Sequence, residues 1–350
     1  MKLTQCLGKR PYLIAEAGVN HNGNVELARN LVLAAAENGA DAVKFQMFNP
    51  DKLVTPLAQK ADYQKKTTGK GSQIEMLRKL VLDNEVFREL SDLARSCGID
   101  YIVTPFDKES ALFLNEIIDI FKIGSGDLTW HDSLKFIAGF GKPMILSTGM
   151  ATLGDVEGAL DAIASVMGER IQRDLYLLHC TSQYPAPADS VNLRAIATLS
   201  QAFGLMCGFS DHTEGIEIPL AAAALGVPII EKHFTLDKSM EGPDHKASIE
   251  PTELKALSSG IERISLALGS GIKKPAASEL NTAAVARRSF VTKEPMKKGQ
   301  IINTGKLEIM RPGTGISPVY GEFIEGMILL RDKEPWETLD WKDFKSTGEN

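Results

Sequence analysis

"AVKFQMF", residues 42–48, is an apolar run broken by one lysine and one glutamine. In a strand, alternate residues share a face, so Lys44 and Gln46 point one way and Val43 and Phe45 the other. A lysine buried in such a strand is costly unless something anionic meets it. The same texture recurs along the chain in "YLIAEAG" (12–18), "DYIVTPF" (100–106), "IFKIGSG" (120–126), "PMILSTG" (143–149), "LYLLHC" (175–180), "LMCGFS" (205–210) and "IIEKHF" (229–234). Between the runs lie segments with apolar residues at helical spacing, such as "NVELARNLVLAAAENGA" and "NEVFRELSDLARSCG". The last of them, "PTELKALSSGIERISLALG", opens with Pro251 and closes at Gly269, as helix start and stop signals require. Eight strand–helix units predict an α/β fold, a (β/α)8 TIM barrel. A doubly wound open sheet is the competitor. The countable eight units, and polar residues at the C-terminal end of nearly every strand, favour the barrel.

The texture changes after Gly271. "KKPAASELNTAAVARRS" is polar and alanine-rich, and the chain beyond it breaks into short strand-like runs separated by Gly and Pro. The expected organisation is a catalytic barrel over 1–272, a linker over 273–288 and a small, mostly-β domain over 289–345. The loop after the second strand, "NPDKLVTPLAQKADYQKKTTGKGSQ", is long enough to suggest a functional lid or disorder.

A net charge of −6 argues against a nucleic-acid partner, although local lysines can still serve an anionic substrate. None of the four cysteines forms a CxxC pair, the usage of a reducing compartment. No run reaches transmembrane length and the N-terminus lacks a signal-peptide core, so a cytoplasmic protein without a membrane partner is expected.

In a barrel, reactive groups gather at the C-terminal strand ends. Those ends supply Glu16, Asn20 and His21; Lys44 and Gln46; Thr104; Lys122, Ser125 and Asp127; Ser147 and Thr148; Ser182 and Tyr184; Ser210 and His212; and His233. Two lysines with several hydroxyls describe a site for phosphate or carboxylate. His212 and His233 end neighbouring strands and can reach one ion. Imidazoles with oxygen donors and water suit Mn²⁺ or a similar divalent ion better than a structural zinc. Glu231 shares the face of His233. Asp244 and His245, in "EGPDHKAS", are expected to lean over the mouth and contact a polyol.

The ordered motifs "IAEAGVNHNG", "AVKFQ", "DYQKKTTG", "TPFD", "KIGSGD", "STGM", "HCTSQYPAP", "GFSDHT", "EKHFTLD", "GPDHKAS" and "RPGTGI" resemble the sialic acid synthase family over nearly the whole chain. The family is also called the nonulosonic acid synthases. The resemblance implies a phosphoenolpyruvate-dependent transferase with a C-terminal antifreeze-like (SAF, β-clip) domain. It implies that Lys44 and Thr104 hold the phosphoenolpyruvate carboxylate, and that Lys122, Ser125, Ser147, Ser182 and Ser210 hold its phosphate. His212 and His233 would bind Mn²⁺, with Mg²⁺ or Co²⁺ as substitutes. Glu16, Gln46, Asp127, Tyr184 and Asp244 would face an N-acetylhexosamine, by default N-acetylmannosamine, and the attacking water would be either metal-bound or activated by Glu16. Arg311, in "RPGTGI", would cross to the partner's site in a domain-swapped homodimer. Some members carry Glu at the position of Asp127 and Asn at that of Ser182. Two other sugar classes fit the same chemistry: a 2,4-diacetamido-trideoxyhexose, giving a legionaminic-type acid, or a sugar phosphate. A non-catalytic carbohydrate-binding protein is the remaining alternative.

Overall fold

A computed structural model of the chain describes residues 2–60 and 71–344. The eight apolar runs form eight parallel strands: β1 (Tyr12–Gly18), β2 (Ala42–Met47), β3 (Asp100–Pro105), β4 (Phe121–Ile123), β5 (Met144–Ser147), β6 (Leu175–Cys180), β7 (Cys207–Asp211) and β8 (Ile229–His233). β1 pairs with β2 on one side and β8 on the other, which closes the sheet into a barrel in sequence order. The closure decides between barrel and open sheet. Helices link the strands and end where the sequence punctuates them. Asn24 accepts from Leu27 N to cap Val25–Glu37, a Thr152/Asp155 capping box opens Leu153–Met167, and Pro251–Leu268 stops at Gly269, whose φ is 61°.

Both faces of every barrel strand are covered, so the strands read as near-continuous apolar runs. Their outward residues form the large core with the helices; Val43, Phe45, Val103 and Leu146 are examples. Their inward residues stack in layers. The lower layer is apolar: Tyr12, Ile14, Ala42, Ile102, Ile120, Ile145, Tyr176, Leu178 and Ile229, plugged from below by Leu3 and Cys6. Gly208 completes this layer because no side chain fits; a Cβ there would lie 2.5 Å from the Ile229 carbonyl oxygen. Two residues further along every strand but β6, where Cys180 stands, the inward positions turn polar. Glu16, Lys44, Thr104, Lys122, Ser147, Ser210 and Glu231 occupy them, all buried.

The chain divides into two compact units, Met1–Gly269 and Ser270–Asn350. In the second, β9 (Ser289–Thr292) pairs antiparallel with β10 (Leu307–Met310). Further β contacts are single bridges, such as Val291 with Thr338 and Ile301 with Ile328. Phe290, Ile302, Ile316, Ile324, Leu329 and Leu339 form its core. The stretch 273–288 contains a helix, Leu280–Ala286, whose Ala284 carbonyl accepts from Gly313 N at 2.7 Å. Of the long loop after β2, residues 61–70, including "DYQKKTTG", lie outside the described residues. The part before them contains the short helix Pro50–Leu53.

Candidate active site

The polar layer opens into a cavity of about 240 Å³ at the C-terminal end of the barrel. Its lining takes in Glu16, Lys44, Gln46, Thr104, Lys122, Ser125, Ser147, Ser182, Tyr184, Ser210, His212 and His233. Glu231, Cys180 and Met150 also line it. A larger cavity, about 770 Å³, lies at the opposite end of the barrel. There Arg10 is already held by Asp41 through bonds of 2.6 and 2.7 Å, and no comparable set of reactive groups converges among the described residues.

The anionic partners expected for the buried lysines include carboxylates of the chain itself. Lys44 Nζ lies 2.7 Å from Glu16 Oε2 and 3.8 Å from Glu231 Oε2, and donates to Thr104 Oγ1 at 3.3 Å. Lys122 Nζ donates to Glu231 Oε1 at 3.2 Å, and Ser210 Oγ donates to the same oxygen at 2.9 Å. Gln46 Nε2 donates to Glu16 Oε1 at 2.9 Å. Burial works against a charged Lys44, but the two carboxylates outweigh it and hold its pKa above the ordinary value. For Lys122 burial wins: one shared carboxylate does not offset it, Lys44 opposes it, and the pKa falls. Glu231 is driven well below the usual carboxylate range, since Lys122 and Lys44 together outweigh its burial. It is the common counter-ion of the pocket, a larger part than the sequence assigned to it.

Beside this network stand the two histidines, with ring centroids 5.3 Å apart. Tyr184 packs on both, at 4.2 Å from the His212 ring and 5.4 Å from that of His233. Burial depresses both imidazoles, each to about 3, so both are neutral at neutral pH. His212 Nδ1 lies 2.6 Å from the Thr181 carbonyl oxygen, so it carries the proton and Nε2 keeps its lone pair. His233 Nδ1 is buried and finds no hydrogen-bond partner among the described residues. His212 Nε2 meets only the Ser210 hydroxyl, at 3.5 Å, so two neutral imidazoles, one with a loosely held nitrogen and one with a free one, fit a divalent ion whose other ligands are water or substrate. Among the described residues no three His, Cys, Asp or Glu side chains converge as a ligand set.

Gly149 closes the serine side of the cavity. Its N–H donates to Ser125 Oγ at 3.0 Å, and a Cβ there would lie 2.3 Å from Ser182 Oγ and 2.9 Å from Ser125 Oγ. Asp127 lies in the turn Ser125–Asp127 and burial lifts its carboxyl to about 6. Asp244 is buried, and burial followed by repulsion from Glu16 lifts it to about 7.

Four polar residues at strand ends serve the scaffold instead. Asn20 donates to the Phe234 carbonyl and Ser248 Oγ, and Thr148 to the Leu178 carbonyl. His21 accepts from Gly23 N, and His245 is held by Thr235 and Asn22, so His245 is not a polyol contact. Arg311 follows β10 in the second unit and is exposed. Its loop is fixed: Ser289 Oγ donates to the Pro312 carbonyl at 2.8 Å and accepts from Gly315 N at 2.9 Å.

A barrel whose inner face turns from apolar to a lysine–carboxylate–imidazole layer defines a class of enzyme that handles small anions. A family model, that of the NeuB family, matches residues 31–273. The chain is 50% identical over 329 residues to the N,N'-diacetyllegionaminic acid synthase of Campylobacter jejuni, covering 93% of this chain and 98% of that protein. It is 45% identical to the protein of the same name in Legionella pneumophila, covering 96% of this chain and 95% of that one. Among solved structures it resembles the N-acetylneuraminic acid synthetase of Leptospira borgpetersenii, crystallised with citrate. The TM-score is 0.70 and the identity 35%, over 79% of this chain and 91% of that one. The chain belongs to the NeuB family of sialic acid synthases. No helix among its described residues is long and apolar enough to cross a membrane.

Proposed function

We propose that this chain condenses phosphoenolpyruvate with the open-chain aldehyde of a 2,4-diacetamido-trideoxyhexose and water. The products are a legionaminic-type nine-carbon 2-keto acid and phosphate. The observation that carries the reaction class is the convergence of Lys44, Lys122 and the serines with two neutral imidazoles in one cavity. The two relatives at 45–50% identity carry the legionaminic name, which favours the diacetamido sugar over N-acetylmannosamine, the default expected from sequence.

Lys44 and Thr104 bind the phosphoenolpyruvate carboxylate; Lys122, Ser125, Ser147, Ser182 and Ser210 bind its phosphate. Holding C3 of phosphoenolpyruvate against the aldehyde carbon makes the encounter effectively unimolecular. The C3–aldehyde bond forms, and the aldehyde oxygen takes the proton that water gives up through Glu16. Water adds at C2, and Glu16 accepts a proton from it. The C2–O bond to phosphate then breaks, leaving the ketone with the oxygen of water and a proton on phosphate. The lysines stabilise the anionic groups in a water-poor site, where such interactions are strongest. His212 and His233 hold a divalent ion, Mn²⁺ or else Mg²⁺ or Co²⁺, which supplies Lewis-acid polarisation of the aldehyde. Glu16, Gln46, Asp127, Tyr184 and Asp244 face the sugar. The second unit is an antifreeze-like domain, and in a homodimer its Arg311 donates to an N-acetyl group in the other subunit's site.

The test is phosphate release with Mn²⁺, phosphoenolpyruvate and each of three aldehydes: the diacetamido-trideoxyhexose, N-acetylmannosamine and its 6-phosphate. The highest kcat/KM is expected with the first. Release only with the phosphosugar refutes the substrate assignment, and release with none refutes the reaction.

A further inference from the structure

Ser210, His212, Glu231 and His233 point into the barrel, and the same alternation turns Asp211 and Lys232 outward, against the helical shell. Both are fully buried there, with no exposed surface. Lys232 Nζ donates to Asp211 Oδ2 at 2.6 Å and also to the Thr213 carbonyl. Asp211 accepts in turn from Thr213 N and from Thr213 Oγ1, each at 3.0 Å. Asp211 and Lys232 are also partners in the β7–β8 register. A closed knot of hydrogen bonds therefore ties the ends of two strands, one residue away from each imidazole.

The knot is a poor way to gain stability. Desolvating two charges roughly cancels their attraction, and an apolar pair of similar volume would serve as well or better. An apolar pair cannot fix the direction of the backbone as Lys232 does by gripping both the Asp211 carboxylate and the Thr213 carbonyl. That direction matters unequally for the two rings. His212 has its own anchor at the Thr181 carbonyl, whereas His233 Nδ1 has no partner among the described residues. The aim of His233 therefore depends on its backbone, and Lys232 is the residue before it.

We propose that Asp211, Lys232 and Thr213 are positioning residues that set the separation and aim of His212 and His233, and hence the affinity of the site for a divalent cation. This rests on the reading that the two imidazoles hold that cation. Neither charged group touches substrate; they act through the imidazoles, as outer ligand-orienting groups do in metal sites.

The test is Mn²⁺ binding to the full chain without substrates, read from the loss of the free-ion electron paramagnetic resonance signal. Melting temperatures are recorded on the same samples without the ion. Lys232→Met is expected to weaken binding roughly ten- to a hundredfold. Asp211→Asn, nearly isosteric, is expected to weaken it less, and Thr213→Val least. Should Lys232→Met fail to fold, the other two must still lose affinity. Folded variants that all bind within about twofold of the wild type, whatever their melting temperatures, overturn the proposal and leave the knot a structural brace. The His212→Ala/His233→Ala protein separates the two levels. If it binds Mn²⁺ as the unmodified chain does, or if the unmodified chain does not bind, the cation reading fails and the inference with it. If it loses binding while the knot variants keep theirs, only the inference fails.

Discussion

Glu231→Gln removes one negative charge from the pocket and little else, because the amide oxygen can still accept from Ser210. Lys122 loses its ion-pair partner at 3.2 Å, while Lys44 keeps Glu16 at 2.7 Å and loses a contact at 3.8 Å. At an effective dielectric of about 20, these attractions are worth about 5 and about 4 kcal/mol before desolvation is counted. Their sum overstates the loss. Burial already depresses the Lys122 pKa, so without Glu231 the lysine sheds its proton and limits the penalty. A broken buried pair typically costs about 3–5 kcal/mol, and the escape by deprotonation places this one at about 3 kcal/mol. The assay is thermal melting with and without phosphoenolpyruvate. The variant is expected to melt several degrees lower. Its rise on adding phosphoenolpyruvate is expected to exceed that of the unmodified chain, because the ligand's phosphate restores the missing negative charge beside Lys122. An unchanged melting temperature, or a smaller ligand-induced rise in the variant, would falsify the assignment of Glu231 as the shared counter-ion.

Three further outcomes are expected. Gly149→Ala puts a methyl group 2.3 Å from Ser182 Oγ and is expected to raise the KM for phosphoenolpyruvate ~tenfold or more with little change in melting temperature; steady-state kinetics decide, and an unchanged KM removes the serine cluster from the phosphate site. Asp244, lifted to about 7 by burial and by Glu16, binds its proton more tightly in the folded chain than in the unfolded one, so its contribution to stability is full in acid and is lost as pH rises toward and through about 7. Asp244→Asn is therefore expected to gain on the unmodified chain between pH 5 and pH 8 in melting experiments, and a constant difference across that range contradicts the shift. Mixing Arg311→Ala with Lys122→Ala chains is expected to restore phosphate release in hybrid dimers; confirmed hybrids with no activity rule out action in trans.

The barrel was legible because strands covered on both faces must be apolar along their length, and because chemistry forces polar residues onto their upper inward positions. "AVKFQMF" and "IIEKHF" carry both signals within seven residues or fewer. The importance of Glu231 was not legible to the same degree. It depends on which neighbour each strand takes, since Ser210 faces Glu231 only in the β7–β8 register, while Lys44 and Lys122 reach it across the barrel. Asn20, His21, Thr148 and His245 were over-read for the converse reason. A polar residue after a strand serves either a ligand or the backbone of the turn, and the type of side chain does not tell which. Lys232 and Asp211 went unnoticed because outward polar residues in a strand pattern ordinarily meet solvent. Here they meet the helical shell, and only their pairing makes burial tolerable.

The unequal treatment of the two lysines also argues for one orientation of phosphoenolpyruvate. Lys44 is flanked by two carboxylates and its positive charge is nearly cancelled before any ligand arrives. Lys122 shares one carboxylate with Lys44 and with the Ser210 hydroxyl, and is left the less compensated of the two. The ligand's two anionic ends differ in the same sense, since phosphate carries more charge than carboxylate and has more oxygens to satisfy. The lowest electrostatic energy puts the phosphate on Lys122, where Ser125, Ser147, Ser182 and Ser210 line the same cavity, and the carboxylate on Lys44 beside Thr104. The reverse placement would set the more charged group against Glu16 and leave Lys122 with the weaker partner. These charges support the orientation proposed for phosphoenolpyruvate, the one the family resemblance implies. Glu16→Gln removes one of the carboxylates that cancel Lys44 and is expected to raise affinity for inorganic phosphate, while Lys122→Met is expected to lower it; phosphate titrations in which either variant binds as the unmodified chain does would contradict that electrostatic account.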